Sequence, residues 1–166
     1  MFLALALVGL SSCAHEAREA ATSPVLDGRP AELNKAVVAG RAYLIKPSGK
    51  IVNCHGDDVL LIAATPNASE RLSRAFKGAT AGYASRIVVE GALDDKRLDS
   101  VERRAACDTG GNFRFEHVAS GQYYILAKVY WSVRWGRYGG GVLQTITVDE
   151  AEQNGLVLTH TLSEDE

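Results

Sequence analysis

The chain has 166 residues, with 18 Lys+Arg against 20 Asp+Glu for a formal net charge of −2, and it is 46% hydrophobic and 23% charged. These proportions belong to a folded domain and exclude disorder over most of the length, and the length suits one domain. The near-neutral balance supplies no long-range attraction to a polyanion, so no nucleic-acid partner is expected.

The first ten residues, MFLALALVGL, are apolar apart from Gly9. A spanning helix needs about 20 such residues, so the run is too short to cross a membrane. It matches the apolar core of a secretion signal. The run closes on Leu10-Ser11-Ser12-Cys13. This resembles the lipobox of bacterial lipoproteins, in which an apolar residue and two small residues precede a modified cysteine. The resemblance implies that residues 1–12 are a signal peptide and that Cys13 carries a diacylglycerol group as the first mature residue. It also implies a membrane partner through the anchor, because two or three acyl chains hold stably where one is marginal. Ala14, where an Asp tends to retain lipoproteins at the inner membrane, implies the outer membrane facing the periplasm. Signals begin with a basic stretch. None precedes this run, so the true start is expected upstream. The alternative is an N-terminal strand or helix that ends in Cys13. Residues 13–35 read as a lipidated tether, reaching roughly 25 Å as a flexible coil, with His15 solvated in it.

From residue 36 the signals are β signals. Val37–Ile45 predicts a strand, Pro47-Ser48-Gly49-Lys50 a turn and Ile51–Cys54 a return strand. His55–Asp58 reads as a bend and Val59–Ile62 as a well-buried strand. Thr65 and Asn67 are helix N-caps, with Leu72 and Phe76 on one face and Gly78 as a stop, so Thr65–Gly78 holds one short helix. Arg86–Glu90 predicts another strand, Leu93–Ser100 a polar connection and Val101–Cys107 a further strand. Asp108–Asn112 is a turn, and Phe113-Arg114-Phe115 a short strand. After Gly121 a long alternating strand runs to Arg134. Its Tyr123, Ile125, Ala127, Val129, Trp131 and Val133 form the inward set, and Trp135 is expected inward too. Gly139-Gly140-Gly141 predicts a turn, and Val142–Val148 and Gly155–Leu162 the last strands. The expected fold is all-β, a Greek-key antiparallel β-sandwich of seven to eight strands with one short helix.

Asp108 through Tyr123 resembles the signature of carboxypeptidase regulatory-like, or prealbumin- and transthyretin-like, domains. Gly111, Phe113, Phe115, Val118, Gly121 and Tyr123 stand at the motif's positions, and Ala119 replaces a common proline. Gly56–Leu61 followed by Thr65 is similar to the family's second strand, less specifically. The resemblance implies a prealbumin-like sandwich over residues 36–162, leaving 163–166 as an acidic tail.

Three cysteines are present. With Cys13 given to lipid, Cys54 and Cys107 remain in an oxidising compartment. Each follows a strand and precedes a bend, so the two are expected to form a disulfide. The alternatives are two buried thiols, or a metal site from Cys54, His55, Asp57, Asp58 and Cys107 that no paired ligand spacing supports.

No catalytic residue, metal or cofactor is expected. His15, His55, His117 and His160 sit in no nucleophile motif. Two enzyme families share this general fold. The Tyr-Arg-Gly-Ser tail of hydroxyisourate hydrolases and the HxH iron ligands of intradiol dioxygenases are both missing from the sequence. The candidate binding surface lies in Tyr130–Gly141, rich in aromatics, arginine and glycine. Its exposed members are expected to be Tyr124, Tyr130, Arg134, Arg137 and Tyr138. Aromatic faces with polar neighbours suit a glycan, and arginines suit the carboxylates of an envelope protein or peptidoglycan stem. The expectation is a lipid-anchored, non-catalytic binding or structural module of the bacterial envelope. The alternative is an accessory subunit of a larger envelope complex, and a small-substrate hydrolase is least favoured.

Overall fold

The computed structural model describes residues 36–78, 80–93, 101–149 and 153–165. The signal peptide over 1–12, Cys13 and the tether over 13–35 lie outside the described residues. So does most of the predicted polar connection before Val101.

The described chain folds into two packed sheets with two helices on the outer face of one. The first sheet is centred on β1 (Ala36–Ile45). β6 (Asn112–Val118) pairs antiparallel with the first part of β1, and β2 (Ile51–Asn53) with its last part. On its other edge lies β9 (Gln153–Thr161), running parallel, with Ala42 opposite Leu158. The second sheet has the order β4 (Ala81–Ser85), β8 (Gly136–Val148), β7 (Gly121–Val133), β3 (Asp58–Ala63) and β5 (Val101–Ala106). The all-β sandwich is therefore as expected, with three differences. Nine strands and two helices are present among the described residues, and the β1–β9 pair is parallel.

Alternation places the core. Val38, Ala42, Leu44, Phe113, Phe115 and Leu158 of the first sheet meet Val59, Leu61, Ile125, Ala127, Val129 and Val142 of the second. A second core lies on the opposite face of the second sheet. There Leu60, Ile62, Leu126 and Leu143 pack against Leu72 of α1 (Pro66–Ala75) and Val89 of α2 (Arg86–Leu93). This explains the unbroken Val59–Ile62 run, because β3 is covered on both faces. α1 begins where its sequence says it should. The Thr65 hydroxyl accepts the Ala68 N–H, and Pro66 takes the first turn, where no N–H is needed.

Two predicted elements are corrected. Arg86–Glu90 is helical, and the strand lies just before it, over Ala81–Ser85. The Ile87-Val88-Val89 run has high β propensity, but only Val89 is buried, while Ile87 is 75% and Val88 43% exposed. One buried residue per turn is a helical pattern, and the i,i+4 Arg86–Glu90 ion pair supports it. Gly139–Gly141 is not a turn but the interior of β8. A Cβ on Gly140 would stand 2.1 Å from the Ala84 carbonyl oxygen, and one on Gly141 2.8 Å from Val89 Cγ2. These glycines let β4 and α2 approach the strand closely.

Cys54 and Cys107 form the expected disulfide, with Cα atoms 5.6 Å apart and a sequence separation of 53. It ties the end of β2 in one sheet to the end of β5 in the other. Closing such a loop contributes about 4 kcal/mol in the chain-entropy model. Both sulfurs are thereby used, which removes the alternatives of free thiols and of a metal held by these two cysteines.

Candidate functional site

The site is built around the β7–β8 hairpin, whose last pair is Val133 opposite Gly136. The turn is therefore the two residues Arg134-Trp135. This overturns the inward placement of Trp135: it sits at the tip and is 82% exposed. Trp131, four residues earlier, does pack against the core.

Strand register divides the candidate residues. Ser132 pairs with Arg137, so Arg137 shares the helix-side face with Tyr130. Tyr138 pairs with Trp131 and belongs to the opposite face. Tyr124 is also on the helix side, but it is half-buried under α1, where its hydroxyl donates to Ser69 Oγ at 3.1 Å. It fills the second core and is not part of the exposed surface, because α1 covers that end of β7.

On the helix side an open cleft of about 620 Å³ is lined by Asp57, Asp58, Glu90, Lys128, Tyr130 and Arg137, among others. Asp57 organises it. Its residue is only 8% exposed, and its carboxylate accepts the Tyr130 N–H at 2.9 Å and a guanidinium N–H of Arg137. The Arg137 guanidinium lies over the Tyr130 ring, 4.6 Å from its centre. Burial pushes the Asp57 carboxyl above the ordinary range. The Tyr130 N–H and the charges of Arg137 and Lys128 oppose this without cancelling it. Lys128 and Arg104 approach Asp58 at 3.6 and 3.8 Å. Arg86 pairs with Glu90 and donates to the Arg137 carbonyl at 3.1 Å. Tyr130 presents a hydroxyl that is buried and makes no hydrogen bond, and burial first, then Glu90 and Asp57, pushes its pKa up to about 12. It is a neutral donor at any physiological pH.

Beside this cleft is a smaller depression of about 340 Å³ lined by Arg86, Ile87, Trp135, Arg137 and Tyr138, among others. Ile87 and Trp135 are largely exposed, and Tyr138 is 50% exposed. Arg134 stacks on Trp135 with its guanidinium carbon 5.0 Å from the ring centre. The pole thus combines an exposed aromatic platform with an ion-paired set of fixed donors and acceptors. Such an array can stack on a ring and hydrogen-bond its hydroxyls.

The histidines do not join it. His160 of β9 stacks on Tyr83 with ring centres 5.0 Å apart. His117 is the last but one residue of β6, at φ 58°, and His55 lies in the turn before β3. Among the described residues, no group of three His, Cys, Asp or Glu side chains is placed to hold a metal ion. Sequence reasoning missed Asp57, which looked like a bend residue, and Lys128, Glu90 and Ile87. The one available signal for Trp135 was Gly136 immediately after it, marking a two-residue turn.

No protein-family model matches the chain, and no curated protein matches it. Comparison with solved structures finds the crystal structure of a "putative carbohydrate binding protein" from Pseudomonas aeruginosa. The two chains share 24% identity and superpose with a TM-score of 0.55, over 76% of this chain and 88% of that one. At this identity the likeness establishes a common fold.

Proposed function

We propose that this protein is a non-catalytic glycan-binding module of the bacterial envelope, anchored through lipid on Cys13, with its binding site at the β7–β8 pole. One observation carries the site: Trp135 stands 82% exposed beside a cleft whose charged groups are already paired and oriented. A monomer keeps a tryptophan in water at little benefit to its own stability, whereas the apolar face of a sugar ring covers such a surface well. The part-exposed Arg137 guanidinium and the Asp58 and Glu90 carboxylates supply donors and acceptors for ring hydroxyls. The carbohydrate-binding description of the structural neighbour agrees with this reading. So does the resemblance to carboxypeptidase regulatory-like domains, which we retain as a proposed relationship, as we do the periplasmic face of the outer membrane as the location.

The test is a glycan array followed by titration calorimetry on the best ligand. Trp135→Ala should weaken binding roughly three- to tenfold, the worth of an aromatic stacking contact. Unchanged affinity in this variant, or no retained glycan, removes the assignment.

A further inference from the structure

The opposite face of the same hairpin has a mouth of its own. It opens between the β1–β2 turn and the end of β7, with a volume of about 490 Å³, inside the range of ligand sites. Its lining includes Lys46, Lys50, Ile51, Trp131, Ser132 and Val133. Ile51 and Val133 are 58% and 45% exposed, so its walls are apolar and open. Among the described residues, no Asp or Glu lines it. The two ammonium groups belong to one tight turn, closed by the Lys46 N–H to the Lys50 carbonyl and the Gly49 N–H to the Lys46 carbonyl.

We propose that this mouth is a subsite for the carboxylate of an acidic sugar, with Lys46 and Lys50 as its cationic partners and Trp131 as its floor. The inference rests on the glycan-binding reading and names the class of glycan. Lys46 Nζ is held 4.1 Å from the centre of the Trp131 ring, so its position is set before any ligand arrives. Partial burial and the Lys50 charge hold the Lys46 ammonium below the ordinary lysine range. An anion between the two lysines relieves that repulsion. The apolar walls of Ile51 and Val133 suit the rest of a pyranose ring. The helix-side cleft differs in kind, because its cations are matched by Asp57, Asp58 and Glu90.

The probe is an oligogalacturonide beside its carboxyl-reduced, neutral form, each titrated into the purified full-length protein. The acidic form should bind roughly tenfold tighter at low salt, and the preference should vanish at high salt, as for exposed ion pairs. Lys46→Gln with Lys50→Gln should abolish the preference for the acidic form. Both positions lie in or beside a solvent-facing turn, and an unchanged melting temperature would confirm an intact fold. Equal binding of both forms by the native protein, or a preference that survives the double substitution, overturns this inference and leaves the glycan reading standing. Failure of both forms to bind likewise overturns this inference, while the glycan reading falls only if the array retains no glycan. Lysine-dependent capture by phosphatidylglycerol vesicles without preference for the oligogalacturonide overturns it in favour of an anionic lipid surface.

Discussion

Asp57 shows how a single side chain sets the character of the cleft. It accepts from the Tyr130 N–H and from Arg137, yet burial still holds its carboxyl above the ordinary range. The folded state therefore favours the protonated form more than the unfolded chain does. A carboxyl raised in this way makes stability fall as pH rises from the unfolded value, about 4, through the raised folded value. That sign is opposite to the one behind common acid denaturation. Asp57→Asn keeps one acceptor oxygen, for either the Tyr130 N–H or Arg137, and has no charge to bury. Its stability relative to the native protein should thus be more favourable at pH 7 than at pH 4 in urea titrations. An equal difference at the two pH values would show that the carboxylate is fully compensated. Asp57 was present in the sequence as the middle of Gly56-Asp57-Asp58. Its burial was not legible there, because the residues that cover it, Tyr130 and Arg137, come more than 70 positions later.

At the scale of elements, the glycines of β8 are the instructive case. In sequence, Gly139-Gly140-Gly141 has the composition of a turn, and the turn preference of glycine is the only local information available. In the structure the strand runs through all three, because β4 and α2 need the space that side chains would occupy. Gly140→Ala puts a methyl group against the Ala84 carbonyl and the Tyr83 ring, and should cost roughly 1–3 kcal/mol as an overpacked contact. The denaturant midpoint measures this, and an unchanged midpoint would mean that β4 gives way freely. The same crowding explains the misread strand. Ile87-Val88-Val89 carries strand propensity, and only docking on β8 at Gly141 decides that it is helix. By contrast, α1 was legible from Thr65, Pro66, Leu72 and Phe76, since caps and i,i+4 spacing are local. The long alternation of β7 was legible for the same reason.

For the whole molecule, the proposed anchor and the proposed binding site belong to opposite ends of β1. Ala36 is opposite Val118 at one end of β1, while Ile45 is opposite Ile51 at the other. Lys46 then reaches Trp131 near the tip of the β7–β8 hairpin. The binding pole therefore lies a strand's length, about 30 Å, from the residue at which the segment bearing Cys13 joins the sandwich. Anchoring and binding should be separable. Cys13→Ser should move the protein from the membrane to the soluble fraction on cell fractionation and leave glycan affinity unchanged. Retention in the membrane would contradict lipidation.

The sequence by itself determined the sandwich, the approximate bounds of most strands, the capped helix and the Cys54–Cys107 pairing, because these follow from alternation, caps, turn residues and a count of thiols. The signal and anchor are likewise readings of sequence alone. Only the tertiary structure decided which aromatics reach water, that Tyr124 is covered and Trp135 is not, and that Asp57 meets Arg137. Those outcomes depend on contacts between residues far apart in the chain. No local pattern encodes them until the sheets have closed on each other.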